Sequence, residues 1–292
     1  MNKKIIHLLT PLLYLCAIAQ GQNDFIFFES RIQTLANKIL TSDTDSLKFE
    51  TNHLLIENLE EILLLKGSFQ YDFENIDNMS ILISPDRKFK LYNWVVPKED
   101  GSFEYFAYIQ MLKRKKEPFF IKLTDISDEI TQEQYNILTS GEWYGSLYSE
   151  IIHTKFEKKN YYTLLGWDGN NKTSTKKIVE IMHFDEEKKP VFGAQIIKMN
   201  DGTRSRMILE YSKNASINMG YNKDNDYIIF DHLEPIETSQ KGMYEFYIPS
   251  LSFDGLTFKN GKWRFVEDIQ VYNNKKFNLK QLKNIERGLQ PN

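Results

Sequence analysis

The chain has 292 residues, 41% hydrophobic, 14% aromatic and 26% charged, with a formal net charge of −3. That is enough apolar material for one large or two small packed domains, and it excludes a globally disordered chain. Mild acidity offers a phosphate backbone no electrostatic footing, so nucleic acid is not an expected partner.

The first element reads as a targeting segment, residues 1–19. Lys3 and Lys4 supply a short positive start, and Ile5 to Ala19 is apolar apart from His7 and Thr10. Ala17-Ile18-Ala19 places small residues where a signal peptidase reads them, so cleavage is expected between Ala19 and Gln22. The apolar run is shorter than the roughly 20 residues of a membrane span. Cys16, the single cysteine, lies inside this segment after Leu15, which is too large for a lipoprotein signal. Cleavage would leave a mature chain without cysteine, excluding disulfides and thiol chemistry. Removing Lys3 and Lys4 leaves 35 basic against 40 acidic residues, a net charge of −5. No later segment is long and apolar enough for a span, so no transmembrane segment is expected after cleavage.

A helical region is expected over residues 20–78. Phe25, Phe28, Ile32, Leu35 and Ile39 fall on one helical stripe, with Asp24 placed to cap it. Residues 41–46 (TSDTDS) break the pattern, and a second helix from about Asn52 to Leu65 carries Leu55, Leu59, Ile62 and Leu63 on one face, ended by Gly67-Ser68. From Met79 the period changes to two, and residues 79–292 read as an antiparallel β domain with a short closing helix. The expected strands are Ser80–Ile83, one beginning at Phe89, then Phe103–Leu112 and Pro118–Leu123. A connector over Thr124–Gly145 is expected to hold a short helix around Thr131–Leu138. Further strands are expected at Ser149–Phe156, Tyr161–Gly166, Lys177–Phe184, Val191–Lys198, Arg206–Tyr211, Ala215–Tyr221, Tyr227–Phe230 and Tyr244–Tyr247. Leu251–Phe258 and Trp263–Val271 form a last hairpin around Asn260-Gly261, a strong turn signal, before a helix over Phe277–Leu289. The fold class is therefore mainly β, antiparallel meanders and hairpins in a sandwich-like or propeller-like curled sheet, with helices at both ends.

The stretches ILISPDRKFKLYNW, YYTLLGWDGNN, IIFDHLEP and FKNGKWRFVED resemble an uncharacterised family of exported bacterial proteins, over roughly Phe69–Asp268. The resemblance implies export and a common domain, and brings no activity, cofactor or catalytic residue with it.

The strong catalytic signatures are missing: no G-x-S-x-G, H-E-x-x-H, P-loop or G-x-G-x-x-G occurs. The histidines offer one short-spaced pair, His183 with Asp185, which share a strand face; no metal site or cofactor is expected. Asn222–Asp226 alternates oxygens as calcium loops do, but Tyr227 stands where such a loop needs Gly, so a hairpin turn is expected. Carboxylates that could form a glycosidase pair are Asp168, Glu180, Glu210, Asp231, Glu234, Asp254 and Glu267, and only their separation in space would select two. The ligand candidate is the tip Trp167-Asp168-Gly169-Asn170-Asn171, where an indole face beside a carboxylate and amides could stack on and bond a sugar. Turn chemistry accounts for the same residues. The expectation is a non-catalytic, exported (periplasmic or extracellular) β-domain that binds an envelope protein or glycan. The alternatives are a carboxylate-dependent glycan hydrolase and a structural envelope component.

Overall fold

The computed structural model describes residues 6–269, with side-chain detail from residue 24 onward. The helix expected over Phe277–Leu289 lies outside the described residues. The chain divides into two compact units, Met1–Asn78 with Met111–Phe120, and Met79–Gln110 with Ile121–Asn292.

The first unit is built on two helices, α1 (Ile6–Thr41) and α2 (Asp45–Leu64). Asp24 does not cap a helix. The apolar stretch before it is itself helical, and α1 runs through that position without a break. Thr44 is the cap that starts α2: its backbone is extended and its hydroxyl accepts the Leu47 N–H. Leu55, Leu59, Ile62 and Leu63 are all buried, as their spacing predicts, together with Ile32, Ala36 and Ile39 of α1. The buried Glu29 accepts hydrogen bonds from the Tyr71 hydroxyl (2.5 Å) and the Asn75 N–H (2.8 Å), tying the segment after α2 back onto α1.

The strands are β1 (Ser80–Ile83), β2 (Phe89–Pro97), β3 (Phe103–Leu112), β4 (Pro118–Leu123), β5 (Leu138–Thr139), β6 (Leu147–Phe156), β7 (Lys159–Asp168) and β8 (Ser174–Phe184). They continue with β9 (Pro190–Phe192), β10 (Ile197–Met199), β11 (Gly202–Arg204), β12 (Arg206–Ser212), β13 (Met219–Asn222), β14 (Tyr227–Pro235), β15 (Tyr247–Lys259) and β16 (Lys262–Val266). β1 to β4 form one meander sheet. A second sheet has the order β11-β10-β16-β15-β14-β13, and a third β5-β9-β8-β7-β6, with β12 also on β8. The pairing is mainly antiparallel, as expected, and β10 pairs with β16 in parallel.

Several expected elements differ: α2 begins at Asp45 rather than near Asn52, the strand expected over Ala215–Tyr221 begins only at Met219, and β16 ends at Val266. No helix forms at Thr131–Leu138: Gln132 has φ +56°, and the Gln134 carbonyl accepts the N–H groups of Ser205 and Arg206 instead of serving a helix. The expected strand Val191–Lys198 splits at Gly193, whose φ of +90° bends the chain and lets β10 join a different sheet. Tyr244–Phe246 is a 3-10 turn, and β15 begins only at Tyr247.

Ile152, Leu165, Val179 and Ile181 of the third sheet meet Met219, Ile228, Phe230, Leu256 and Trp263 of the second in one core. The Trp263 indole donates to Thr163 Oγ1 (2.9 Å) across it. The other face of the third sheet is covered too. Phe89 meets Tyr162 edge to face, and the buried Asn93 accepts the Tyr148 N–H (2.7 Å). With both faces covered, β8 is buried from Ser174 to Met182, charged residues included.

Candidate functional site

Asp168 and the rest of the tip lie at the β7–β8 turn. The register pairs Asp168 with Lys176, Leu164 with Glu180, and Glu180 with Arg206 of β12. Period-two geometry sends Asp168, Lys176, Glu180 and Arg206 to the same face, where they form a buried polar ladder.

At one end, Asp168 accepts hydrogen bonds from the hydroxyls of Tyr105 (2.9 Å) and Tyr144 (3.2 Å) and from the Asn170 N–H (2.7 Å). The Lys176 ammonium lies 4.0 Å from it and donates to Glu133 (3.2 Å) and Tyr144 (3.1 Å). Burial pushes the Asp168 carboxyl above its ordinary value, with Lys176 and the three donors opposing. Burial followed by the charge of Asp168 holds the Tyr105 and Tyr144 hydroxyls protonated, well above the ordinary phenol range. At the other end, Arg206 Nε donates to Glu180, both completely buried. Burial works against the guanidinium charge and Glu180 more than offsets it, so Arg206 is held above its ordinary value. Arg206 also donates to the Glu133 carbonyl and lies 5.1 Å from the Tyr144 ring centroid, while its Nη2 has no hydrogen-bond partner.

The other tip residues are spent on the turn. Asn170 adopts φ +52°, and its amide donates to Ser174 Oγ (2.7 Å) and Glu210 (3.2 Å). Asn171 Oδ1 accepts from the N–H groups of Thr173 (2.8 Å) and Ser174 (3.0 Å). Trp167 is half-buried, edge to face with Phe103. Gly169 is required by close approach, because a Cβ there would sit 2.2 Å from the Phe103 ring. The tip thus presents a partly open indole, while its carboxylate faces inward.

Asp231 and Glu267 are also held, whereas Glu234 is exposed. Asp231 accepts from Asn218 N–H (2.6 Å), and Glu267 from the Asn200 amide (2.8 Å). His183 is pushed below its ordinary value by burial, and Asp185 caps the Lys189 N–H rather than sharing a ligand with it. Asn222–Asp226 is a hairpin turn in which Asn222 Oδ1 accepts the Asp224 N–H (3.0 Å). Among the described residues, no group of three or more His, Cys, Asp or Glu could hold a metal ion.

One arrangement was not visible in the sequence. His232 Nδ1 lies 2.6 Å from Asp254 Oδ2, and Nε2 lies 3.6 Å from Glu234. The register places His232 alone opposite Ser250, Leu251 and Ser252, a bulge that turns Leu251 fully outward. Beyond it, Leu233–Pro235 pairs with Tyr247–Pro249, where neither β13 nor β16 reaches. This two-stranded arm carries Ile236 (60% exposed), Met243 (51%), Tyr244 (46%), Ile248 (39%) and Leu251 (104%). Those five are among fourteen exposed large hydrophobic residues in the described chain, gathered into sixteen consecutive positions. Glu234, Glu237 and Glu245 are exposed beside them. The signal for the arm is the composition of Ile236–Leu251, apolar residues among turn formers with no alternation; the strand expected over Tyr244–Tyr247 covers only part of it.

No family model matches this chain, and no curated protein or solved structure is significantly similar to it.

Proposed function

We propose that the chain is an exported, non-catalytic β-domain that binds a protein partner at the cell envelope through the β14–β15 arm. The observation that carries this reading is the apolar surface on that arm. Clustered exposed hydrophobic side chains rimmed by charge mark interaction surfaces, whereas scattered ones need no explanation. Export rests on the Lys3-Lys4 start, the short apolar segment and the resemblance to exported bacterial proteins. The non-catalytic part rests on the carboxylates of the ladder and tip, which are engaged by partners inside the fold. A protein is favoured over a glycan because Asp168, Asn170 and Asn171 are turned to structural work, leaving Trp167 with no polar neighbour from the tip free for a sugar.

A photo-crosslinking residue at Leu251 of the full chain, expressed in cells that export it, should give a discrete adduct in the envelope fraction. Ile248→Ser with Met243→Ser should cut its yield about tenfold with little change in Tm, as loss of a binding anchor does. Trp167→Ala should leave the yield unchanged. An adduct insensitive to the arm substitutions, or lost with Trp167→Ala, would move the site to the tip and favour the glycan.

A further inference from the structure

At the bulge of β14 a histidine ring nitrogen and a carboxylate stand side by side, with a second carboxylate behind the ring. We infer that His232 Nε2 and Glu234 bind one zinc-like transition-metal ion, with Asp254 orienting the imidazole and water completing the coordination. The site is independent of any protein partner of the arm.

The tautomer comes first. A carboxylate only accepts hydrogen bonds, and Oδ2 of the buried Asp254 lies 2.6 Å from His232 Nδ1, so that nitrogen carries the proton and donates it. Asp254 is itself fixed, because its Oδ1 accepts the Asp268 N–H (3.2 Å). The neutral imidazole then presents the Nε2 lone pair. Metal-ligating histidines donate their other ring N–H to a carboxylate in this way, which sets the ring for the ion. Geometry comes second. His232 and Glu234 are two apart on β14 and share a face, with Glu234 Oε1 3.6 Å from Nε2. Tetrahedral zinc, with bonds of about 2.0–2.2 Å, separates neighbouring ligand atoms by about 3.3–3.6 Å. Without a cation between them, a lone pair and a carboxylate at that distance repel. One imidazole with one carboxylate suits zinc better than calcium or magnesium, which take oxygen ligands.

The chain also offers a rival pair. His53 Nε2 lies 3.3 Å from Glu57 on α2, but the His53 side chain is 73% exposed, against 35% for His232. An ion at His53 would have to order two free side chains, whereas Asp254 has already ordered His232. Two chain ligands fall short of a three-residue set, so the ion keeps open positions that solvent reaches past the exposed Glu234.

The test titrates chelator-treated full-length protein at neutral pH with zinc chloride alone, followed by calorimetry and by proton–nitrogen spectra of the histidine rings. Zinc should shift His232 Nε2 and leave Nδ1 protonated. His232→Ala should abolish that binding, and Asp254→Asn should weaken it about tenfold. Glu234→Gln should also weaken it about tenfold; its position is exposed, so this variant keeps the test decisive if Asp254→Asn fails to fold. His53→Ala should change nothing. Zinc affinity indifferent to His232→Ala or to Glu234→Gln would overturn the inference, and binding lost with His53→Ala would move the site to α2. A His232 ring that responds to acid but not to zinc would also overturn it, leaving a proton as the only cation the pair takes.

Discussion

At the scale of single residues, the ladder on β8 shows what a sequence conceals. Lys176, Lys177 and Glu180 are of the kinds that strands usually turn to solvent, yet all are buried because β8 is a central strand covered on both sides. What makes this tolerable is register: Glu180 stands opposite Arg206, and Asp168 opposite Lys176. Cross-strand pairing is a tertiary fact, so neither partner could be named in advance. The structure therefore moves Asp168 from a proposed sugar contact to an internal anchor for Tyr105 and Tyr144. Arg206→Met should destabilise by about 3–5 kcal/mol in urea unfolding, because it strands the Glu180 charge in the interior. Glu180→Gln with Arg206→Met should recover most of that loss. A double variant as unstable as the single would instead assign the cost to lost packing on Tyr144.

Elements were more legible than residues. β1, β3 and β4 have the expected limits, and the Asn260-Gly261 tip, with φ of +50° and +74°, closes β15–β16 as that dipeptide predicts. These elements are specified locally, by alternation and turn residues. The misplaced ones are those in which a distant segment competes for the backbone. Gln134 gives its carbonyl to Ser205 and Arg206, and Gly193 packs where Asn136 O lies 2.5 Å from the position of a Cβ. Gly193 therefore carries two constraints, a left-handed φ and a crowded neighbour. Gly242 has a similar φ (+88°) but open space around it. Gly242→Ala should cost about 1 kcal/mol for the backbone alone. Gly193→Ala should cost about 1–3 kcal/mol more and loosen the β9–β10 connection to proteolysis. Equal costs at the two positions would remove the crowding argument.

For the whole molecule, the interior charge sets a pH dependence. The Asp168 carboxyl is raised on folding, so its contribution to stability is complete below the unfolded value near 3.9 and is lost as pH rises through the folded value. Asp168→Asn does not titrate there. Its Tm relative to wild type should therefore climb as pH increases from 4 toward neutrality, and a flat difference would mean that Lys176 and the tyrosines neutralise burial completely. The mainly β class and the order of hairpins could be read from composition and period. The layering could not, because it depends on which faces of which sheets meet.

The parallel pair β10–β16 joins Ile197 to Trp263, segments separated by the five strands β11 to β15. Trp263 also carries the indole that bonds Thr163 and fills the core between the sheets. The central layers are thus completed by β16, the last of the described strands. Contacts so distant in sequence form slowly, since loop closure must precede any gain from pairing. Until β16 is made, the second sheet lacks the strand that joins β10 to β15.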